Sequence, residues 1–346
     1  MRGLESFAKK LSIDLRKEER LSSYASLKVG GPADYFAAVR DRGNLIKLYI
    51  YAVRNRIPVF VLGGGTNVLV GDKGFRGLVI KNEVFEVERV RKSKLTFLNK
   101  TDKERRDEVH WKGGFLASSD LYYEEDFDNG YIFRVSSGLS LPYLISCLLN
   151  LGFSGLEWFA GIPGTVGGAV WNNIHGAHKF FGDYVQKVSF VDKDSLKAKV
   201  VYKKHLGFSY NKSVFQSVGG LITDVWMGFP MGDKRRSLAT YNTWIDRKSV
   251  QPKNSAGCTF SNISAKDKAR LKLESSSTSY ILDRILNLKG LSVGGASVSD
   301  NHSNFIVTKP GAKALDVATL IGNIKTVCKE KLDLELKEEI IRIGEF

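Results

Sequence analysis

The sequence predicts an α+β fold. Apolar spacing switches between helical and strand periods without the steady βαβ rhythm of a parallel sheet. Two glycine clusters, "LGGGTNVLV" (62–70) and "GIPGTVGGAV" (161–170), interrupt that pattern, and the first is not a GxGxxG loop opening a helix. The later runs "KVSFVD" and "GLITDVWMGF" alternate as antiparallel strands do.

The elements follow in order. Residues 4–21 read as a charged amphipathic helix, and "SLKVGGPADYFAAV" as a turn leading into a strand. Leu45, Ile46, Tyr49, Ile50 and Val53 have helical spacing, so 43–56 is a helix. "PVFVLG", "NVLV" and "GLVI" are short strands around the first glycine cluster. A heavily charged stretch, about 91–130, reads as an insertion in a β-hairpin region. "YIFRVSSG" is a strand, and 141–151 a helix that tolerates Pro142 in its first turn. Past Trp244, "RKSVQPKNSAGCTFSN" reads as a linker and strand, "KDKARLKLESSSTS" as a loop insertion, and 280–288 as helical. Val317, Leu320, Ile321, Ile324 and Val327 form a helical stripe, and 340–343 a closing strand.

Composition narrows the class. A chain of 346 residues with 43% hydrophobic and 26% charged residues is expected to bury a proper core in two or three domains. It has no apolar run long enough to span a bilayer and no cleavable leader pattern, so a cytoplasmic protein without membrane partners is expected. Three cysteines, far apart, suggest neither a disulfide framework nor a metal site. The net charge of +15 is dispersed and comes without a nucleic-acid motif, so anionic small molecules are the expected partners rather than nucleic acid.

Glycine admits positive φ and leaves room for a ligand against the backbone, and amides in such turns make an anion cradle. Gly63, Gly64, Gly65, Thr66 and Asn67 therefore suit a diphosphate. Gly161, Ile162, Pro163, Gly164, Thr165, Gly167 and Gly168 repeat the chemistry a hundred residues on. Two such loops suggest one extended dinucleotide such as FAD.

"LGGGTNVLV", "GLEWFAGIPGTVGGAVWNN", "SAGCTF", "KGLSVGGASVSDNHSNFIV" and "EEIIRIG" occur in order over about 22–344. Together they resemble the UDP-N-acetylenolpyruvoylglucosamine reductase (MurB) family, in its shorter subtype without an extra substrate-covering loop. The resemblance implies a two-lobed FAD-binding domain of the vanillyl-alcohol-oxidase/p-cresol-methylhydroxylase type over 1–225 (lobes 1–84 and 85–225), then an α+β substrate-binding domain over 226–346. It implies hydride transfer from NADPH through FAD to the C3 carbon of UDP-N-acetylglucosamine-enolpyruvate, protonation at C2, and UDP-N-acetylmuramate as product for peptidoglycan synthesis. A monomer is expected.

The resemblance also implies roles. The proton donor follows "SAG" and is Cys258 in place of the usual serine. A thiol of ordinary pKa near 8.5 is much the better acid. Glu339 aligns as the carboxylate near the C-terminus; Glu338, one step away, should face oppositely on a strand. The family's Tyr-Arg-x-Ser is Tyr210, Asn211, Lys212, Ser213 here, so an uncharged amide stands where the resemblance places an enolate-steadying arginine. On strand alternation Lys212 faces away from that position. Tyr210, Asn262 and Gln251 are the expected substrate contacts, and Asn173 and His302 further cofactor contacts. Arg247 has a packing or phosphate role, Asn304 lies near the flavin, and His175 and His178 have no assignment. Two competing functions are an oxidase of the same fold with covalently held FAD, and a non-catalytic UDP-sugar binder.

Overall fold

The computed structural model describes residues 2–95, 130–177 and 179–346, so most of the 91–130 insertion, and His178, lie outside the described residues. In chain order the elements are α1 (Arg2–Lys10), β1 (Arg16–Arg20), β2 (Pro32–Val39), α2 (Arg42–Arg54), β3 (Val59–Leu62), β4 (Val68–Val70), β5 (Phe75–Asn82), β6 (Val87–Ser93), β7 (Gly130–Ser136), α3 (Leu141–Asn150) and α4 (Val166–Asn172). They continue with β8 (His175–Gly176), β9 (Lys179–Phe180), β10 (Val185–Val191), β11 (Ala198–Tyr202), β12 (Leu221–Pro230), α5 (Lys234–Ser249), β13 (Ser255–Cys258) and α6 (Ala265–Arg270). Last come β14 (Ser292–Val293), β15 (Ala296–Val298), β16 (Phe305–Thr308), α7 (Ala314–Leu332) and β17 (Ile341–Ile343), with short helical turns elsewhere.

The chain forms two compact units. The first comprises 1–15, 37–64 and 80–249; the second comprises 16–36, 65–79 and 250–346. This packing differs from the single cut expected after residue 225. Strand β12 is the middle strand of a sheet in the first unit, and α5 behind it stays there too. The chain passes from one unit to the other within β2, in the first glycine loop and within β5, and also between residues 15 and 16 and between 249 and 250.

The core of the first unit is the antiparallel sheet β11-β10-β12-β7-β6. Val188, Val225, Val135 and Val87 lie in register across four of its strands, the inward row that a period of two produces. Helices α3 and α4 join the same cluster, which encloses Trp158, Phe159, Phe181 and Tyr184 without solvent contact. Each fully buried side chain of this size contributes about 1.5–3 kcal/mol of transfer free energy. Helix α2 is set by Leu45, Leu48, Tyr49 and Ala52 on one buried stripe and by Asp41, whose carboxylate accepts from the Asn44 amide at 2.7 Å.

The second unit packs α7 on the sheet β13-β16-β15-β14, through Val317, Leu320, Ile321, Ile324 and Cys328. The Asp72 carboxylate caps α7 from far away in sequence, accepting from the Ala314 and Leu315 amides at 2.8 and 2.9 Å. Strand β17 runs parallel to β4, with Ile341 opposite Val68. The helix expected over 4–21 stops at Lys10, because Arg16–Arg20 pairs antiparallel with β2. The stretch expected as a loop after Ile263 contains α6, whose N-cap Ser264 accepts from the Asp267 amide. Among the described residues, no helix is long and apolar enough to cross a membrane.

Candidate active site

In the first unit the two glycine clusters touch. A Cβ built on Gly64 would stand 2.6 Å from the Cα of Gly164, and one on Gly63 would stand 2.5 Å from Thr165 Oγ1. These glycines are thus required first by the approach of loop to loop. Gly164 has φ +125°, and Gly161 has φ +76° with the aliphatic stem of Lys248 lying over it. Thr165 is the N-cap of α4, and the amides of Val166 and Gly167 are tied to the Leu139 and Ser137 carbonyls. Ile162 packs on the core, and Pro163 is exposed. Gly168 is exposed, and a Cβ there would meet only Thr165 Oγ1, at 3.6 Å. Among the described residues, the Gly63 and Gly64 amides donate to no loop, turn or cap carbonyl. At the foot of the loop, Lys81 Nζ donates to the Gly63 carbonyl at 3.0 Å. Glycine-loop amides beside an ammonium group are the kind of donors that bind anions, which fits the diphosphate of a dinucleotide such as FAD.

Asn211 is not on a strand. Ser209 and Lys212 exchange backbone hydrogen bonds at 3.1 and 3.2 Å, so Tyr210 and Asn211 form the tip of a two-residue turn. Asn211 has φ +50°, a conformation that asparagine tolerates better than most residues. The alternation argument about Lys212 therefore does not apply. Asn173 ends α4 at φ +42°, donates to the Ser209 carbonyl at 2.8 Å and accepts from the Gly182 amide at 2.8 Å. Both ends of its amide are thus engaged, the donor end on the Tyr210–Asn211 turn and the acceptor end on Gly182. Gln216 holds the turn from the other side, donating to the Asn211 carbonyl at 2.9 Å.

The first unit also holds buried titratable groups that the sequence leaves without a role, one of them beside this turn. The His175 ring sits 5.3 Å from that of Tyr210, at 30°. Burial, and then the charge of Lys248, pull the His175 pKa down to about 4, so the imidazole is neutral. Burial also lowers Lys248 to about 8. Glu157, in the "GLEWF" stretch, is fully buried and accepts from the Gly155 amide at 2.6 Å; burial raises it to about 7. Nothing in local sequence spacing marks these groups, because each is perturbed by long-range packing.

The second unit brings Cys258, Glu339 and Asn304 together. Cys258 ends β13 opposite Phe305. Burial, then the charge of Glu339, push its thiol up to about 12, against a hydrogen bond from the Asn304 side chain. This corrects the expectation of an ordinary thiol: Cys258 holds its proton throughout the neutral range, as a weaker acid than its reference value suggests. Asn304 clamps the strand, accepting from the Phe260 amide at 3.0 Å and donating to the Phe260 carbonyl at 2.7 Å. Glu339 is fixed by its backbone, its amide donating to the Thr259 carbonyl at 2.9 Å. The Asn67 side chain donates to the Glu339 carbonyl at 3.0 Å, so Asn67 braces the segment that leads into β17.

Glu338 has different partners. Its carboxylate takes Lys325 Nζ at 3.1 Å and Arg342 Nε at 2.8 Å. Burial opposes its charge, yet these two cations hold its carboxyl below the usual range. His302 lies against Phe305, with ring centroids 4.4 Å apart, and burial lowers its pKa. Its Nδ1 is buried with no hydrogen-bond partner outside its own residue, among the described residues. Asn262 accepts from the Thr278 amide at 3.3 Å, and Gln251 is half-buried in the segment before β13. Gly65 (φ +67°) and Thr66 continue the first loop, and a Cβ on Gly65 would run into the Tyr24 carbonyl. Among the described residues, no three His, Cys, Asp or Glu side chains form a metal-binding group.

Residues 250–343 match the family described as UDP-N-acetylenolpyruvoylglucosamine reductase, C-terminal domain. The UDP-N-acetylenolpyruvoylglucosamine reductase of Caldanaerobacter subterraneus subsp. tengcongensis is 30% identical over 335 residues, 94% of this chain and 93% of that protein. That of Protochlamydia amoebophila is 31% identical over 325 residues, 92% of this chain and 91% of that protein. The crystal structure of UDP-N-acetylenolpyruvylglucosamine reductase (MurB) from Thermus caldophilus superposes with a TM-score of 0.67 at 28% identity, over 96% of this chain and 99% of that one. On similarity that runs nearly end to end, the chain belongs to the UDP-N-acetylenolpyruvoylglucosamine reductase family.

Proposed function

We propose that the chain is the FAD- and NADPH-dependent reductase that converts UDP-N-acetylglucosamine-enolpyruvate to UDP-N-acetylmuramate for peptidoglycan precursor synthesis, with Cys258 as the proton donor. The observation that carries this reading is the Cys258 thiol, kept protonated by burial and by Glu339 and clamped by Asn304. FAD, when bound, would carry hydride from NADPH to the C3 carbon of the enolpyruvyl group. Gly63, Gly64, Gly164, Thr165 and Gly168 would hold its diphosphate, with Gly65, Thr66, Gly161 and Gly167 shaping the loops and His302 a further contact. Addition at C3 leaves a carbanion at C2, next to the substrate carboxylate. The Sγ–H of Cys258 delivers its proton to C2, and the sulfur regains a proton from solvent. Glu339 opposes a lasting thiolate and so favours that recharging. Asn211 donates a neutral hydrogen bond to the developing enolate, and Tyr210, Asn262 and Gln251 orient the substrate. In this reading residues 1–225 supply most of the cofactor contacts together with Tyr210 and Asn211, residues 226–346 supply the proton donor and the remaining substrate contacts, and the enzyme works as a cytoplasmic monomer.

Purified protein mixed with NADPH tests the reading. NADPH oxidation that requires UDP-N-acetylglucosamine-enolpyruvate, and yields UDP-N-acetylmuramate, is the expected result. Substrate-independent oxidation, or flavin that survives denaturation on the chain, would point instead to an oxidase.

A further inference from the structure

We propose that Lys81 is a cofactor-anchoring residue: its ammonium group, fixed on the Gly63 carbonyl at the foot of the first glycine loop, pairs with the diphosphate of the bound dinucleotide. The inference rests on the FAD reading above and adds a residue that none of the glycine motifs contains.

Lys81 is an unusual choice at its position. It lies on β5 within a run whose other members, Leu78, Val79, Ile80 and Asn82, are buried. Keeping an ammonium group there costs free energy unless something compensates the charge. The protein supplies little compensation. The hydrogen bond of Lys81 Nζ goes to a neutral carbonyl, that of Gly63, at 3.0 Å. Glu83 favours the charge from two residues on, but its carboxylate is paired with Arg40 Nε at 3.1 Å. Burial accordingly lowers the Lys81 pKa. An ammonium group has three donors, and among the described residues one is used.

The surroundings identify what the other two donors serve. Gly63 and Gly64 pack directly on Gly164 and Thr165, so an anion cradled by their amides lies at the loop that Lys81 Nζ already touches. A diphosphate supplies the missing negative charge and several acceptor oxygens. Charge-assisted hydrogen bonds of this type are roughly twice as strong as neutral ones.

The test is FAD affinity of the deflavinated protein, followed by flavin fluorescence, for wild type, Lys81→Met and Lys81→Arg. Loss of one charge-assisted hydrogen bond should weaken FAD about 10- to 100-fold in Lys81→Met. Lys81→Arg, which keeps the charge, should lose clearly less affinity than Lys81→Met, because a guanidinium also makes charge-assisted hydrogen bonds to phosphate. The salt dependence of FAD binding should be shallower in Lys81→Met, one ionic contact having gone. Wild-type affinity and salt dependence in Lys81→Met would overturn the inference. So would equal loss in both variants, which would make Lys81 a prop for the loop and not a charge for the ligand. If the wild-type protein binds no FAD, the functional reading falls together with this inference; if it binds FAD and Lys81→Met binds equally well, only this inference falls.

Discussion

At the scale of single residues, the clearest contrast is between two neighbouring glutamates. Glu338 is held by Lys325 and Arg342, whereas the charge of Glu339 acts on the Cys258 thiol. Glu339→Gln should therefore slow turnover and at the same time speed alkylation of Cys258, because the opposing charge no longer holds back the thiolate. Glu338→Gln should leave both nearly unchanged and lower thermal stability by no more than about 1 kcal/mol, the range for partly exposed ion pairs. Turnover and alkylation rates measured side by side check this; slower turnover in Glu338→Gln alone would reverse the assignment. With a pKa pushed up to about 12, Cys258 should also impose no alkaline limb on kcat between neutral pH and pH 9. The motif around "SAG" was enough to single out Cys258 in the sequence. Its raised pKa was not legible, because that depends on burial and on a carboxylate 81 positions further along the chain.

At the scale of elements, the sequence announced strands and helices well where a period or a cap is local. Residues 43–56 carry a buried stripe and an Asp41 cap, and the helix is there as Arg42–Arg54. It misled where pairing is distant. Residues 16–20 have the look of a helix, yet become an edge strand because β2 offers partners. The Tyr210–Asn211 segment looked like a strand and is a turn held by Asn173 and Gln216, neither of them adjacent in sequence. That geometry makes a prediction. Asn211→Gly should keep the melting temperature, since glycine accepts φ +50° freely, but lower kcat/KM about 10-fold or more if the amide steadies the enolate. Asn211→Ala should show the same loss and also cost about 1 kcal/mol of stability, the left-handed penalty for a residue with a Cβ. Wild-type kcat/KM in Asn211→Gly would reduce Asn211 to a turn residue.

At the scale of the whole molecule, buried titratable groups tie stability to pH, Glu157 in one direction and His175 in the other. Glu157 has its pKa raised by burial from 4.5 to about 7. Its contribution is fully present below about pH 4.5 and is lost as pH rises through 7, because the unfolded chain ionises first. Wild-type unfolding free energy should thus fall by up to roughly 3 kcal/mol between pH 5 and 8 on account of this group. Glu157→Gln, of the same size and without the titration, should flatten that slope; an unchanged slope in urea unfolding at several pH values would contradict the account. The central claim is that hydride delivery and protonation are separate tasks, the second belonging to Cys258. Rapid mixing with Cys258→Ala tests it most directly: NADPH should reduce the bound flavin at close to the wild-type rate, and added UDP-N-acetylglucosamine-enolpyruvate should then give no UDP-N-acetylmuramate. Product formed at the wild-type rate by Cys258→Ala would contradict it.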